Sequence, residues 1–173
     1  MSSPQKNDML DSLKLLGTGK AFQDELCDMI AATQMFRDFG WRDIEALSGY
    51  MQACEASSGT ILFREGDKGT YMCLIIKGKI EVCKEDHNDR KKIVATIGSG
   101  KTLGEMAIID GEPRSATAIV VEPATLAIFT ETSFLRIASE KPALATKILL
   151  KVARLLSQRL RQTSGQLVDY LES

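Results

Sequence analysis

Residues 103–118 read LGEMAIIDGEPRSATA. Within this stretch Asp110-Gly111 supplies turn chemistry, so the segment folds back on itself instead of extending as one helix or strand. The return makes Gly104 and the backbone after Arg114 close neighbours. A carboxylate, Glu105, and a guanidinium, Arg114, then face one small space with backbone N–H groups between them. That space suits a small ligand with a hydroxyl-bearing end and an anionic end. Taken singly, Glu105 reads as an acid in the first turn of a helix and Arg114 as a surface charge. Their joint spacing favours a binding site.

The stretch sits in a β-rich region. Short runs suited to strands occupy Thr60–Arg64, Tyr71–Ile76, Lys79–Lys84, Lys92–Ile97, Ala116–Val121 and Ala124–Phe129. Turn residues separate them: Gly66-Asp67, Gly69, Gly78, Asp86–Asp89, Gly98–Gly100 and Glu122-Pro123. Strands this short, broken this often, predict an antiparallel sandwich or barrel. The polar run Glu85–Lys92 reads as the solvated tip of a hairpin.

Helical periodicity flanks the strands on both sides. Upstream, residues 1–33 read as two helices broken at Gly17-Thr18-Gly19, one carrying Met9, Leu10, Leu13 and Leu16, the next Phe22, Leu26, Met29 and Ile30. A third helix is predicted from Trp41 to Ala53, with Trp41, Ile44, Leu47 and Met51 as its apolar face. Downstream, Thr130 or Thr132 caps a short helix bearing Phe134, Leu135 and Ile137. Pro142 then opens a long helix. Its stripe of Leu149, Val152, Leu156, Leu160, Leu167 and Leu171, with Thr163, approximates a heptad seam; Gly165 weakens or breaks its last turns.

The fold expected is therefore α+β: an antiparallel β-barrel of jelly-roll (double-stranded β-helix) type with N-terminal helices, a short C-terminal helix and a long one. The expected division is a helical segment over 1–35, the β-barrel domain over 36–141 and the long helix over 142–173.

Composition narrows the function classes. The chain has 173 residues, 44% hydrophobic and 26% charged, with a net charge of −1, so no global basic field points to nucleic acid. The N-terminus lacks the apolar core of a signal peptide, and no apolar run approaches bilayer length. Cys27, Cys54, Cys73 and Cys83 show no CxxC spacing and read as reduced core thiols of a cytoplasmic protein. Cys73 and Cys83, set about Lys77-Gly78, could alternatively face each other across a hairpin. His87 is the only histidine, which leaves no metal site and no Ser-His or Cys-His catalytic pair. No enzyme activity, catalytic residue or cofactor is expected.

LGEMAIIDGEPRSAT and the order of elements from Phe36 onward resemble the cyclic nucleotide-binding domain family. That family includes the catabolite activator protein, regulatory subunits of cAMP-dependent kinase and cyclic-nucleotide-gated channels. The stretch looks like the family's phosphate-binding cassette, of the type found in small, stand-alone bacterial members. The resemblance implies that Arg114 binds the cyclic phosphate, with Ser115 and Ala116 adding N–H contacts. It implies that Glu105 accepts the ribose 2′-OH and that Gly104 lets the backbone approach the sugar. Leu103, Met106 and Ala107 would close the apolar side. In the family, Ala after the cassette arginine accompanies cAMP and Thr accompanies cGMP; Ser115 lies between, and PRSAT favours cAMP, with cGMP as the alternative. The run Gln158–Ser164 resembles a helix whose Thr-Ser pair touches adenine, making Thr163 and Ser164 candidate base contacts, or Arg159 and Arg161 instead.

The function expected is a cAMP-binding regulatory module that repositions its C-terminal helices and signals to an unidentified effector protein. A homodimer through the long helix is a candidate assembly; no DNA or membrane partner is expected. A transcription factor would need a recognition helix after the long helix, where this chain stops at Ser173. The alternatives are a regulatory domain cut from a larger channel, kinase or transcription factor, and a cGMP-selective sensor.

Overall fold

The computed structural model describes residues 13–17, 19–86 and 90–171. Two compact units divide the chain, the first running to Ser133 and the second from Phe134. In order, the elements are β1 (Lys14–Leu15), α1 (Lys20–Ala31), α2 (Trp41–Ser48), β2 (Met51–Ala56), β3 (Ile61–Phe63) and β4 (Tyr71–Glu85). They continue with β5 (Lys91–Gly98), β6 (Thr102–Leu103), α3 (Glu105–Asp110), β7 (Thr117–Thr130), α4 (Glu131–Glu140) and α5 (Pro142–Leu171).

One antiparallel sheet dominates the first unit, in the order β1-β2-β7-β4-β5, with β3 also on β7 and β6 also on β4. The path does not close into a ring, so the expected jelly-roll barrel is an open version of that fold. Its core gathers Leu62, Phe63, Tyr71, Cys73, Ile75, Ile80, Leu103, Val120, Leu126 and Ile128.

Two turns expected from sequence are bends inside continuous strands. Lys77-Gly78 lies within β4, and Glu122-Pro123 lies within β7. The two marks face each other, with Lys77 opposite Thr125 and Lys79 opposite Glu122, and the register slips on both sides of this point. Gly78 sits at φ +99°, and a Cβ there would come within 2.6 Å of the Ala124 Cα and the Pro123 carbonyl. Proline's missing donor and glycine's missing side chain thus meet across one ribbon and kink it without reversing it. Cys73 and Cys83 therefore share a strand and do not oppose each other; all four cysteines are free and buried. Burial pushes the Cys73 thiol up to about 12.

The N-terminal expectations divide. Leu13 and Leu16 are not on a helix: Lys14–Leu15 pairs with Cys54 and Glu55 of β2. Met9 and Leu10 lie outside the described residues, as does His87. The α1 helix matches its predicted stripe, burying Leu26 and Ile30. The helix expected to reach Ala53 stops at Ser48, and Met51 begins β2 against Phe129. Trp41, assigned to its apolar face, is 55% exposed. Asp86 and Arg90 close the β4–β5 hairpin through an amide-to-carbonyl bond of 3.0 Å.

At the junction to α4, Thr130 is the cap: its Oγ1 accepts the Ser133 N–H at 3.1 Å. The Glu131 N–H donates to the Thr70 carbonyl at 2.8 Å. In the second unit, α5 starts at Pro142 and runs through Gly165 to Leu171 without the expected break. It buries Leu144, Ala145, Ile148 and Val152, whereas Leu160, Leu167 and Leu171 are exposed. No helix among the described residues is long and apolar enough to cross a membrane.

Candidate functional site

The cassette forms where three pieces of backbone converge: the β6–α3 junction, the approach to β7, and the 64–70 loop before β4. Leu103 ends β6, Gly104 turns the chain in a left-handed conformation (φ +80°), and Glu105 begins α3. Gly111 ends that helix, also left-handed at φ +70°. The Asp110-Gly111 turn chemistry therefore acts as a helix stop. Residues 112–116 then lead back to β7.

This return brings Arg114 under Gly104. Arg114 Nη1 donates to the Gly104 carbonyl at 2.9 Å, and Nη2 donates to the Tyr71 carbonyl at 2.6 Å. The guanidinium carbon lies 4.1 Å from the Phe63 ring centre and 4.7 Å from that of Tyr71. The backbone is pinned as well: the Arg114 N–H donates to the Asp67 carbonyl and the Gly66 N–H to the Arg114 carbonyl, both at 2.8 Å. The loop that does this is itself folded by Asp67, whose Oδ2 accepts the Arg64 N–H at 2.9 Å.

Arg114 is 3% exposed. Desolvation lowers the pKa of its guanidinium, while Tyr71, Cys73, Asp67 and Glu105 act in the opposite direction. Among the described residues, no carboxylate lies within ion-pair distance of it. Its Nε has no hydrogen-bond partner. Buried charges are ordinarily paired, so a desolvated cation whose direct contacts are carbonyls and ring faces, with Asp67 and Glu105 acting only from beyond ion-pair distance, is suited to receive an anion.

The other sequence-derived residues take up distinct positions around it. Glu105 is 1% exposed, and Leu103 and Ala107 are buried. Ala116 is buried, whereas Ser115 beside it is exposed. Met106 is 46% exposed, unlike the two apolar residues grouped with it from sequence. Arg159, Arg161, Thr163 and Ser164 all lie on α5, in the second unit, and the last three are exposed.

Sequence reasoning missed Phe63, Tyr71 and Gly69. A Cβ on Gly69 would fall 2.1 Å from Ala107 Cβ and 3.2 Å from the Arg114 Cζ and Nε, so only glycine lets the loop backbone pack this closely against α3 and the guanidinium. The available signal was the Gly66-Asp67…Gly69 punctuation between two strands. It marked a loop, but nothing local tied that loop to Arg114.

Residues 54–141 match the family described as the cyclic nucleotide-binding domain, and the chain belongs to that family. A solved cyclic nucleotide-binding domain from Methylobacillus flagellatus KT superposes with a TM-score of 0.81 at 29% identity, over 94% of this chain and 92% of that one. A CRP-like cAMP-activated global transcriptional regulator of Mycobacterium tuberculosis is 24% identical over 83% of this chain and 62% of its own length. A lysophospholipase, nte1, of Neurospora crassa is 26% identical over 62% of this chain but only 7% of that protein. The chain thus spans less than two thirds of these two relatives. The family is defined by binding a cyclic nucleotide, not by a reaction.

Proposed function

We propose that this chain is a regulatory module that binds cAMP at the cassette and signals to a partner protein through its C-terminal helices. The observation that carries this reading is the buried Arg114 guanidinium with no carboxylate partner and a free Nε. A cyclic phosphate supplies the missing anion, and its contact with a forked, permanently charged donor is of the strong, charge-assisted kind. Ser115 and Ala116 offer N–H groups to the same phosphate. Glu105 accepts the ribose 2′-OH, which a 3′,5′-cyclic phosphate leaves free. Leu103 and Ala107 provide apolar wall. The name of the Mycobacterium tuberculosis relative favours cAMP over cGMP, as does the run PRSAT; Ser115 by itself lies between the two preferences.

Calorimetric titration tests the reading. We expect micromolar or tighter binding of cAMP, weaker binding of cGMP, and much weaker binding of 5′-AMP, whose phosphate is not closed onto the 3′ oxygen. Glu105→Ala should reduce the preference for cAMP over 2′-deoxy-cAMP while retaining the phosphate contact. Equal binding of 5′-AMP and cAMP, or no binding of any cyclic nucleotide, would refute it.

A second copy of this chain is the proposed partner of the exposed α5 stripe. Leu149, Leu160 and Leu167 are 41%, 68% and 57% exposed and recur at near-heptad spacing, the pattern of a two-helix seam. Sedimentation should show a dimer that Leu160→Glu converts to monomer. A monomer at tens of micromolar, with and without cAMP, would remove this assembly.

A further inference from the structure

We propose that Phe63 and Tyr71 are positioning residues of the anion site, holding the Arg114 guanidinium so that its Nε–H is kept for the ligand. The inference rests on the cyclic-nucleotide reading above and deepens it. A lone arginine side chain has several rotatable bonds, and freezing them at the moment of binding weakens affinity. Here four contacts already hold the guanidinium without ligand. The Gly104 and Tyr71 carbonyls take one N–H from each terminal nitrogen. The two rings, inclined at 70° to each other with centres 6.3 Å apart, lie against the guanidinium at 4.1 and 4.7 Å. Cation–aromatic contact of this kind strengthens on desolvation, and every member is buried.

What remains is the Nε, unpartnered although buried. Gly69 adds no side chain beside it: a Cβ there would stand 3.2 Å from Nε and 2.1 Å from the Ala107 Cβ. The rings are themselves fixed: the Tyr71 hydroxyl donates to the Leu62 carbonyl, which ties β4 to β3 directly beside Phe63. The aromatic pair therefore does for Arg114 what a carboxylate does elsewhere, orienting the cation without neutralising it. A carboxylate in this place would compete with the ligand's phosphate; ring faces do not.

The test uses the full chain and two ligands, cAMP and its uncharged phosphotriester. Phe63→Leu should weaken cAMP roughly 5- to 20-fold and leave the triester almost unchanged. Phe63→Tyr keeps the ring face and should bind cAMP nearly as the unaltered protein does. An equal loss for both ligands would mean that Phe63 only supports the fold and would overturn the proposal. So would unchanged cAMP affinity in Phe63→Leu. Should that variant not fold, the unaltered protein decides: two ring faces this close should shift the Arg114 Nε–H proton resonance upfield. A resonance at the position of a solvated arginine would overturn the proposal. Binding that ignores Phe63 defeats this proposal alone, whereas absence of any cyclic-nucleotide binding defeats the reading on which it rests.

Discussion

Replacing Arg114 by alanine is expected to cost about 2–5 kcal/mol of cAMP binding, a roughly 30- to 5,000-fold loss of affinity. The magnitude follows from where the side chain sits. An exposed arginine would contribute little to binding a phosphate, because water screens it. Arg114 is 3% exposed, so the phosphate it meets is largely desolvated and would lose its charged partner outright. Stability should respond much less than affinity. The variant loses the bonds to the Gly104 and Tyr71 carbonyls, but it also relieves the chain of a buried, unneutralised charge. Arg114→Lys should rescue only weakly, since an ammonium cannot span two carbonyls while lying flat against two rings. The check is calorimetry paired with thermal unfolding. Near-normal cAMP affinity in Arg114→Ala would show that the cassette assignment is wrong.

Gly104→Ala should be the most damaging single methyl group in the cassette. Gly104 is left-handed at φ +80°, and an added Cβ would stand 2.5 Å from Arg114 Nη1 and 3.2 Å from the Tyr71 carbonyl. Backbone strain and crowding together should destabilise the fold by about 2–4 kcal/mol. They should also weaken cAMP binding, because the displaced group is the anion-binding arginine. Gly111→Ala separates the two contributions. Gly111 is left-handed at φ +70°, but nothing lies within 4 Å of an added Cβ, so that variant carries backbone strain alone, about 1–2 kcal/mol. Urea unfolding of both variants measures the difference. If Gly104→Ala costs no more than Gly111→Ala, the close approach of Gly104 to Arg114 has no energetic weight.

The comparison of these glycines shows what was legible in the sequence. Pro142 announces a helix start, which occurs where the sequence places it; the turn expected at Asp110-Gly111 takes the form of a helix stop, and of the two candidate caps, Thr130 and Thr132, Thr130 is the one used. Gly78 and Pro123 announce equally local departures from regular strand. Whether such a departure reverses the chain or only bends it depends on what lies opposite, and here the two lie opposite each other. That information is absent from either neighbourhood taken alone, so two long strands read as four short ones. The region 49–53 failed for a similar reason. Met51 fits a helical stripe continued from Leu47, and only pairing with Phe129 makes it strand.

The site divides along the same line. Gly104, Glu105 and Arg114 occupy one short stretch, so their proximity follows from a single turn. Phe63, Gly69 and Tyr71 come from a different loop and two other strands. Their relation to Arg114 arises from the tertiary fold, through the backbone bonds of Gly66 and Asp67. Gly165 shows the reverse case: its low helix propensity is overridden, and α5 continues past it.

The central claim, that buried Arg114 waits for the phosphate of a cyclic nucleotide, is tested most directly by a crystal structure of the chain grown with cAMP. The account predicts a phosphoryl oxygen about 3 Å from Arg114 Nε, with Gly69 facing the same space and the ribose 2′ oxygen at Glu105. Cyclic nucleotide bound away from Arg114, or a guanidinium whose Nε stays unpartnered with cAMP in the cassette, would contradict it.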